Sequence, residues 1–123
     1  MENKKVYLSI DLGASSGRVM AGQWDGSTLR LSEVHRFPTP SVFVPPYHYW
    51  DILAIYSSIL HGLNTARQAY GGQIVSIGVD SWGVDYALID ANGEMLANPI
   101  QYRDGRTREP FATLPDRLGR ERI

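Results

Sequence analysis

Asp11-Leu-Gly-Ala-Ser-Ser-Gly-Arg18 is the stretch of this sequence best equipped for chemistry. A loop that binds phosphate needs backbone N–H groups and hydroxyls aimed into a concavity, with glycine wherever a side chain would block approach. Gly13, Ser15, Ser16 and Gly17 meet that need. A P-loop is excluded: it places four residues between its glycines, follows them with Lys and Ser or Thr, and opens a helix. Here three residues intervene, Arg18 follows, and the next segment reads as a strand. A plain hairpin turn with surface serines accounts for the glycines and serines equally well. It leaves Asp11 unexplained, because a carboxylate that ends an apolar strand costs desolvation unless something pairs with it.

A second group of polar residues lies further on. Asp80 and Asp85 flank Ser81-Trp-Gly83, where two carboxylates could line a polar cleft or cap neighbouring backbone groups. Tyr102, Asp104 and Arg106 fall in a turn-like stretch after an apolar run; they could face a cleft or form a surface salt-bridged loop. His48 and His61 lack metal-ligand spacing, and with no cysteine in the chain there is no zinc-thiolate site, disulfide or thiol nucleophile.

Strands and turns must position these groups. Lys5 to Leu12 reads as a strand apolar on both faces, as in the middle of a covered sheet. Arg18 to Trp24 reads as a second strand, Asp25-Gly26 as a hairpin turn and Thr28 to Phe37 as a third strand. Short turns make the three an antiparallel meander, since parallel neighbours need crossovers of about a dozen residues or more. Residues 38–50 hold Pro38, Pro40, Pro45 and Pro46 among five aromatic or imidazole rings, and read as a shaped irregular loop that could lid a site or shield a sheet edge. Asp51 is a helix N-cap candidate; Ile52, Tyr56, Ile59, Leu60, Leu63 and Ala66 follow at helical spacing to a stop at Gly71-Gly72. Ile74 to Asp80 and Val84 to Asp90 read as strands, the second ended by a turn at Ala91–Glu94. Met95 to Tyr102 reads as a continuation in strand, and Thr107 to Leu118 as a weak helix broken by Pro110 and Pro115.

Composition bounds the rest. The chain has 123 residues, enough for one modest domain, with 43% hydrophobic and 20% charged residues, as in ordinary globular proteins. A formal charge of −1 supplies no basic field for nucleic acid or an anionic membrane, and the apolar run at Val6 to Leu12 is too short and too interrupted for a signal peptide or membrane span. The expectation is a soluble, cytoplasmic chain.

Ile10 to Arg18 resembles the first phosphate motif of the superfamily that joins actin, Hsp70 and the sugar kinases, and its Ala-Ser-Ser-Gly-Arg form resembles the rhamnulose kinases of the FGGY carbohydrate kinase family. Ile77-Gly-Val-Asp-Ser-Trp-Gly-Val-Asp-Tyr86 and Tyr102-Arg-Asp-Gly-Arg-Thr107 are similar to the same family, in the expected order. The likeness runs over essentially the whole chain and covers only the opening part of such an enzyme. It implies an α/β fold: an incomplete RNase H-like domain of the actin-like ATPase superfamily, with a mixed sheet in which the meander is followed by a helix and a parallel strand.

The implied activity is ATP-dependent phosphorylation of a ketose, with L-rhamnulose the leading substrate and Mg2+ as cofactor. Asp11 would then serve Mg2+ through water, while Gly13, Ala14, Ser15, Ser16, Gly17 and Arg18 cradle the ATP phosphates. Gly83 would let backbone approach a sugar hydroxyl, and Trp82 would stack on the sugar or simply pack in the core. Asp80, Asp85, Tyr102, Asp104 and Arg106 would line the sugar site. In such kinases the base that takes the hydroxyl proton is an aspartate of a His-Asp pair further along, so this segment is expected to need the remainder of a kinase chain and to be inactive alone. Two rivals have different chemistry: a non-catalytic fragment or half-site ATP-binding module, and a metal-dependent RNase H-like nuclease using Asp11, Asp80 and Asp85. The nuclease needs carboxylates converging on two ions and a basic surface, which the charge balance does not provide.

Overall fold

Three antiparallel strands open the chain: β1 (Lys5–Leu12), β2 (Ser16–Trp24) and β3 (Leu29–Pro38). A computed structural model describes residues 4–119 and 121. β1 pairs with β2 from Lys5↔Trp24 to Leu12↔Gly17, so the turn at residues 13–15 is the tip of a tight hairpin. The β2–β3 turn is tied by Asp25, whose carboxylate accepts from the Ser27 and Thr28 N–H groups at 3.0 and 2.8 Å.

A hairpin of β4 (Ser41–Val44) and β5 (Tyr47–Trp50) follows, then helix α1 (Ile52–Tyr70), strand β6 (Ile74–Asp80) and, after a long irregular stretch, helix α2 (Arg108–Leu118). β6 lies parallel to β1, giving the sheet order β3-β2-β1-β6. This is the expected mixed sheet. By contact, the chain divides into two compact units: the residues up to Pro40 together with Asp51–Val84, and Ser41–Trp50 together with Asp85 onward.

α1 begins as its sequence predicts. Asp51 Oδ1 accepts from Ala54 N–H at 3.1 Å, and the helix stops at Gly71, whose φ of 51° favours glycine and whose N–H donates to Arg67 O. Its Ile55, Gly62 and Ala66 are buried. Gly62 is required there, since a Cβ would come within 2.6 Å of Val19 Cγ2. Under the helix lie Val6, Leu8 and Ala21, packed with Ala66, Leu63 and Tyr70.

Four expectations are corrected. β1 is covered on one face only: Val6, Leu8, Ile10 and Leu12 are buried, whereas Tyr7 remains 41% exposed. Residues 38–50 are no irregular loop; Val42, Phe43, Val44 and Tyr49 suit extended strands, and Pro45-Pro46, joined by a cis peptide, sit at the turn, where no ladder N–H is needed. Val84–Asp90 and Met95–Tyr102 are not strands, because among the described residues they find only isolated bridges, Ile89↔Met95 and Tyr49↔Ile100, and a lone segment cannot fill a ladder. The turn between them does form, with Asp90 accepting from Asn92 and Glu94 N–H groups. Finally, Arg108–Leu118 is one continuous helix: Pro110 lies in the first turn, where its missing N–H would be unpaired anyway, and Pro115 is tolerated near the end.

Candidate functional site

Asp11 and Asp80 end two adjacent parallel strands and are register partners, so both carboxylates are carried at the carboxyl end of the sheet. Ligands of α/β folds gather at that end. The β1–β2 tip sits beside them. Across the hairpin Asp11 pairs with Arg18, whose Nη2 donates to Asp11 Oδ2 at 2.5 Å, with the two side chains 41% and 38% exposed. The partner that the strand-ending carboxylate demanded is therefore Arg18, a residue also expected to reach phosphate. A half-exposed ion pair of this kind contributes little to stability, and its guanidinium can turn to an incoming anion at small cost.

The tip itself is tied from inside. Gly13 N–H donates to Ser16 O at 3.0 Å. Thr39, just past β3 and 4% exposed, donates its hydroxyl to Gly13 O at 2.9 Å and its N–H to Ser15 O at 3.2 Å. Gly17 has a packing reason beyond phosphate approach: a Cβ there would stand 2.4 and 2.6 Å from the Phe37 ring, which is buried against it. Sequence reasoning missed Thr39 and Phe37. The signal was available in the hairpin arithmetic, since Ser16↔Pro38 and Gly17↔Phe37 pairing puts Thr39 alongside Ser15.

Trp82 and Gly83 follow β6. Trp82 is half-buried, and Gly83 is exposed. A Cβ on Gly83 meets nothing within 4 Å, so neither backbone conformation nor packing in this chain explains glycine at that position.

The remaining expected residues belong to the second unit, where carboxylates hold loops. Asp85 Oδ2 accepts from the indole Nε1 of Trp50, 1% exposed, at 2.6 Å, and Trp50 N–H donates to Pro99 O at 2.9 Å. Tyr102 lies beside Trp50, ring centroids 6.3 Å apart, with the Arg103 guanidinium over its ring 5.3 Å from the centroid. Asp104 is buried, accepting from His48 N–H at 2.7 Å and Arg106 N–H at 2.9 Å. The His48 N–H first, and then the Arg106 N–H, hold its carboxyl below the usual aspartate range. Arg106 is exposed and lines a cavity of about 200 Å³ with Tyr49, Tyr86, Leu88 and Leu96. Asp85 and Asp104 thus have their carboxylates engaged within this unit: Asp85 bonds an indole 35 residues away, not a neighbouring backbone group, and Asp104 bonds two backbone N–H groups.

Among the described residues, no three His, Cys, Asp or Glu side chains stand together as a metal cluster, and no helix is long and apolar enough to cross a membrane. A hard cation carried by phosphates and held through water asks less, namely one accessible carboxylate beside an anion-receptive loop. Asp11 fits that requirement.

Residues 6–123 match the N-terminal domain of the FGGY family of carbohydrate kinases. A rhamnulokinase of Pectobacterium atrosepticum is 47% identical over 121 residues, covering 97% of this chain and 24% of that protein. One from Oceanobacillus iheyensis is 40% identical, covering 94% of this chain and 24% of that protein. The gluconate kinase of Lactobacillus acidophilus superposes with a TM-score of 0.75 at 16% identity, over 93% of this chain and 23% of that one. The ligand-bound xylulose kinase of the same organism gives 0.74 at 16% identity, over 92% and 23%. The chain spans about a quarter of the length of the curated relatives it matches.

Proposed function

The chain belongs to the FGGY family of carbohydrate kinases, and on that premise we propose that it supplies the phosphate hairpin and part of the sugar site of an ATP-dependent ketose kinase acting on L-rhamnulose. One observation carries the nucleotide half: an accessible carboxylate, Asp11, stands beside a hairpin tip whose carbonyls at Gly13, Ser15 and Ser16 already accept bonds from within the chain. A tip tied by its carbonyls offers its N–H groups and the Ser15 and Ser16 hydroxyls to an anion. The substrate half is supported by the likeness to rhamnulokinases along nearly the whole chain.

In the reaction, the bond from the γ-phosphorus to the bridging oxygen of ATP breaks, and a bond to a sugar hydroxyl oxygen forms. ADP leaves, and the hydroxyl proton passes to a base in the remainder of the kinase. Mg2+, when bound, offsets the phosphate charge. Asp11 would hold it through water; Ala14 and Ser15 N–H and the Ser15 and Ser16 hydroxyls would position the phosphates, and Arg18 would leave Asp11 to join them. Gly83 leaves room for a sugar hydroxyl next to backbone, with Trp82 as a stacking face. Tyr102, Asp104, Arg106, Asp80 and Asp85 supply polar lining, directly or by holding the loops that do. The cytoplasm, where ATP is available, is the matching compartment.

The test is a chimera in which this chain is joined to the part of the Pectobacterium atrosepticum rhamnulokinase that follows the matched segment. It is expected to release ADP in a sugar-dependent way, with L-rhamnulose preferred over other ketoses, while the 123-residue chain alone shows no turnover. A folded chimera that binds Mg-ATP but ignores every ketose would sink the substrate assignment; one that binds no Mg-ATP would sink the nucleotide assignment.

A further inference from the structure

Thr39 lies outside the motif that suggests phosphate binding, yet two of the tip's backbone bonds end on it. Its hydroxyl must be the donor to Gly13 O, because a carbonyl can only accept, and its N–H donates to Ser15 O. Both bonds are made by a residue 4% exposed, where a lost partner is not cheaply replaced by water. Gly13 O and Ser15 O bracket Ala14, so fixing both sets the peptide planes on either side of it. Gly13 N–H to Ser16 O closes the same turn, and the Phe37 ring packs on Gly17 beside it.

We propose that Thr39 is the positioning residue of the phosphate hairpin. By occupying the Gly13 and Ser15 carbonyls it keeps the tip's donors turned outward before any nucleotide arrives, so that ordering the loop is not charged against binding. A free Gly13-Ala14-Ser15 tip would otherwise sample conformations that present carbonyl oxygens to the anion. This deepens the nucleotide reading above and rests on it.

The experiment follows amide signals of isotope-labelled 123-residue chain during titration with Mg-ATP, for wild type, Thr39→Val and Thr39→Ser. Val keeps the shape and removes the donor; Ser keeps the donor. Saturable shifts are expected at Ala14, Ser15, Ser16 and Gly17 in the wild type. Thr39→Val is expected to weaken them about five- to tenfold, the worth of one hydrogen bond, and to speed hydrogen exchange at Ala14 and Ser15 while leaving Val6 and Leu8 protected. Thr39→Ser should restore both. Equal affinity of Thr39→Val and wild type would overturn the role of Thr39 alone, as would a Thr39→Ser chain that binds poorly, an outcome readable even should Val fail to fold. A wild type showing no shift at the tip would overturn the phosphate reading itself and the proposal with it.

Discussion

The two units of this chain solve the same task, holding polar groups at defined places, by different physics. In the first, residues 11–18 are placed by a strand ladder, by glycines packed against rings and methyls, and by one buried threonine. In the second, Asp85 to Thr107 is nearly free of regular structure, and its loops are pinned by carboxylates: Asp85 to Trp50, Asp90 to Asn92 and Glu94, Asp104 to His48 and Arg106. Close packing makes a site sensitive to volume, whereas carboxylate pins make it sensitive to protonation.

The contrast is most exposed to refutation at Gly17. Adding one methyl drives a Cβ to 2.4 Å from the Phe37 ring, so Gly17→Ala is expected to cost about 1–3 kcal/mol, as overpacking of a fitted core does. Denaturant melts of the two chains measure it. A change within about 0.5 kcal/mol, the usual surface value, would mean that the hairpin is not held by packing.

Acid separates the units next. The carboxyls of Asp104 and Asp90 are held below their usual range, Asp104 chiefly by the His48 N–H and Asp90 chiefly by the Glu94 N–H. A group whose folded pKa is depressed stabilises the fold above its unfolded value, and that contribution fades as pH falls through the folded value. The second unit should therefore loosen below about pH 4, the ordinary aspartate value. Asp25 and Glu33 in the first unit are shifted the same way, Asp25 by the Thr28 and then the Ser27 N–H and Glu33 by Arg36, but they sit at a turn and on the edge strand of a sheet that keeps its ladder without them. Hydrogen exchange at pH 6 and pH 3 should show His48 and Arg106 amides losing protection ahead of Leu8 and Val19. Simultaneous loss would break the distinction.

The smallest effect on the fold is expected at Gly83, where a Cβ meets open space. Gly83→Ala should leave melting unchanged within about 0.5 kcal/mol, yet in the chimera it should weaken L-rhamnulose binding more than Mg-ATP binding. Calorimetry with each ligand reads both. Equal losses would assign the glycine to folding after all.

Sequence alone disclosed the first unit far better than the second, and the reason lies in range. Asp25-Gly26, Asp51 and Gly71 act on neighbours a few residues away, so turn, cap and stop were readable where they stand. Val84–Asp90 has the composition of a strand, but a strand exists only with a partner, and composition says nothing of that. The prolines of residues 38–50 hid a hairpin because only their position at the turn, not their number, decides whether a ladder survives. At the site, the motif pointed to Asp11 and the glycines, while Thr39 and Phe37, which shape that motif, bear no mark of it and are recoverable only through strand register.

β6 carries Val75, Ile77 and Val79, exposed by 51, 52 and 65%, and the bare face of the meander adds Leu29 and Leu31 at 54 and 68%. For the chain in solution this is a colloidal matter as much as a structural one. Twelve Lys and Arg against thirteen Asp and Glu leave a formal charge of −1, so almost no Coulomb repulsion keeps two such surfaces apart. Screening by salt has little to screen, and dilution is a stronger lever on self-association than ionic strength.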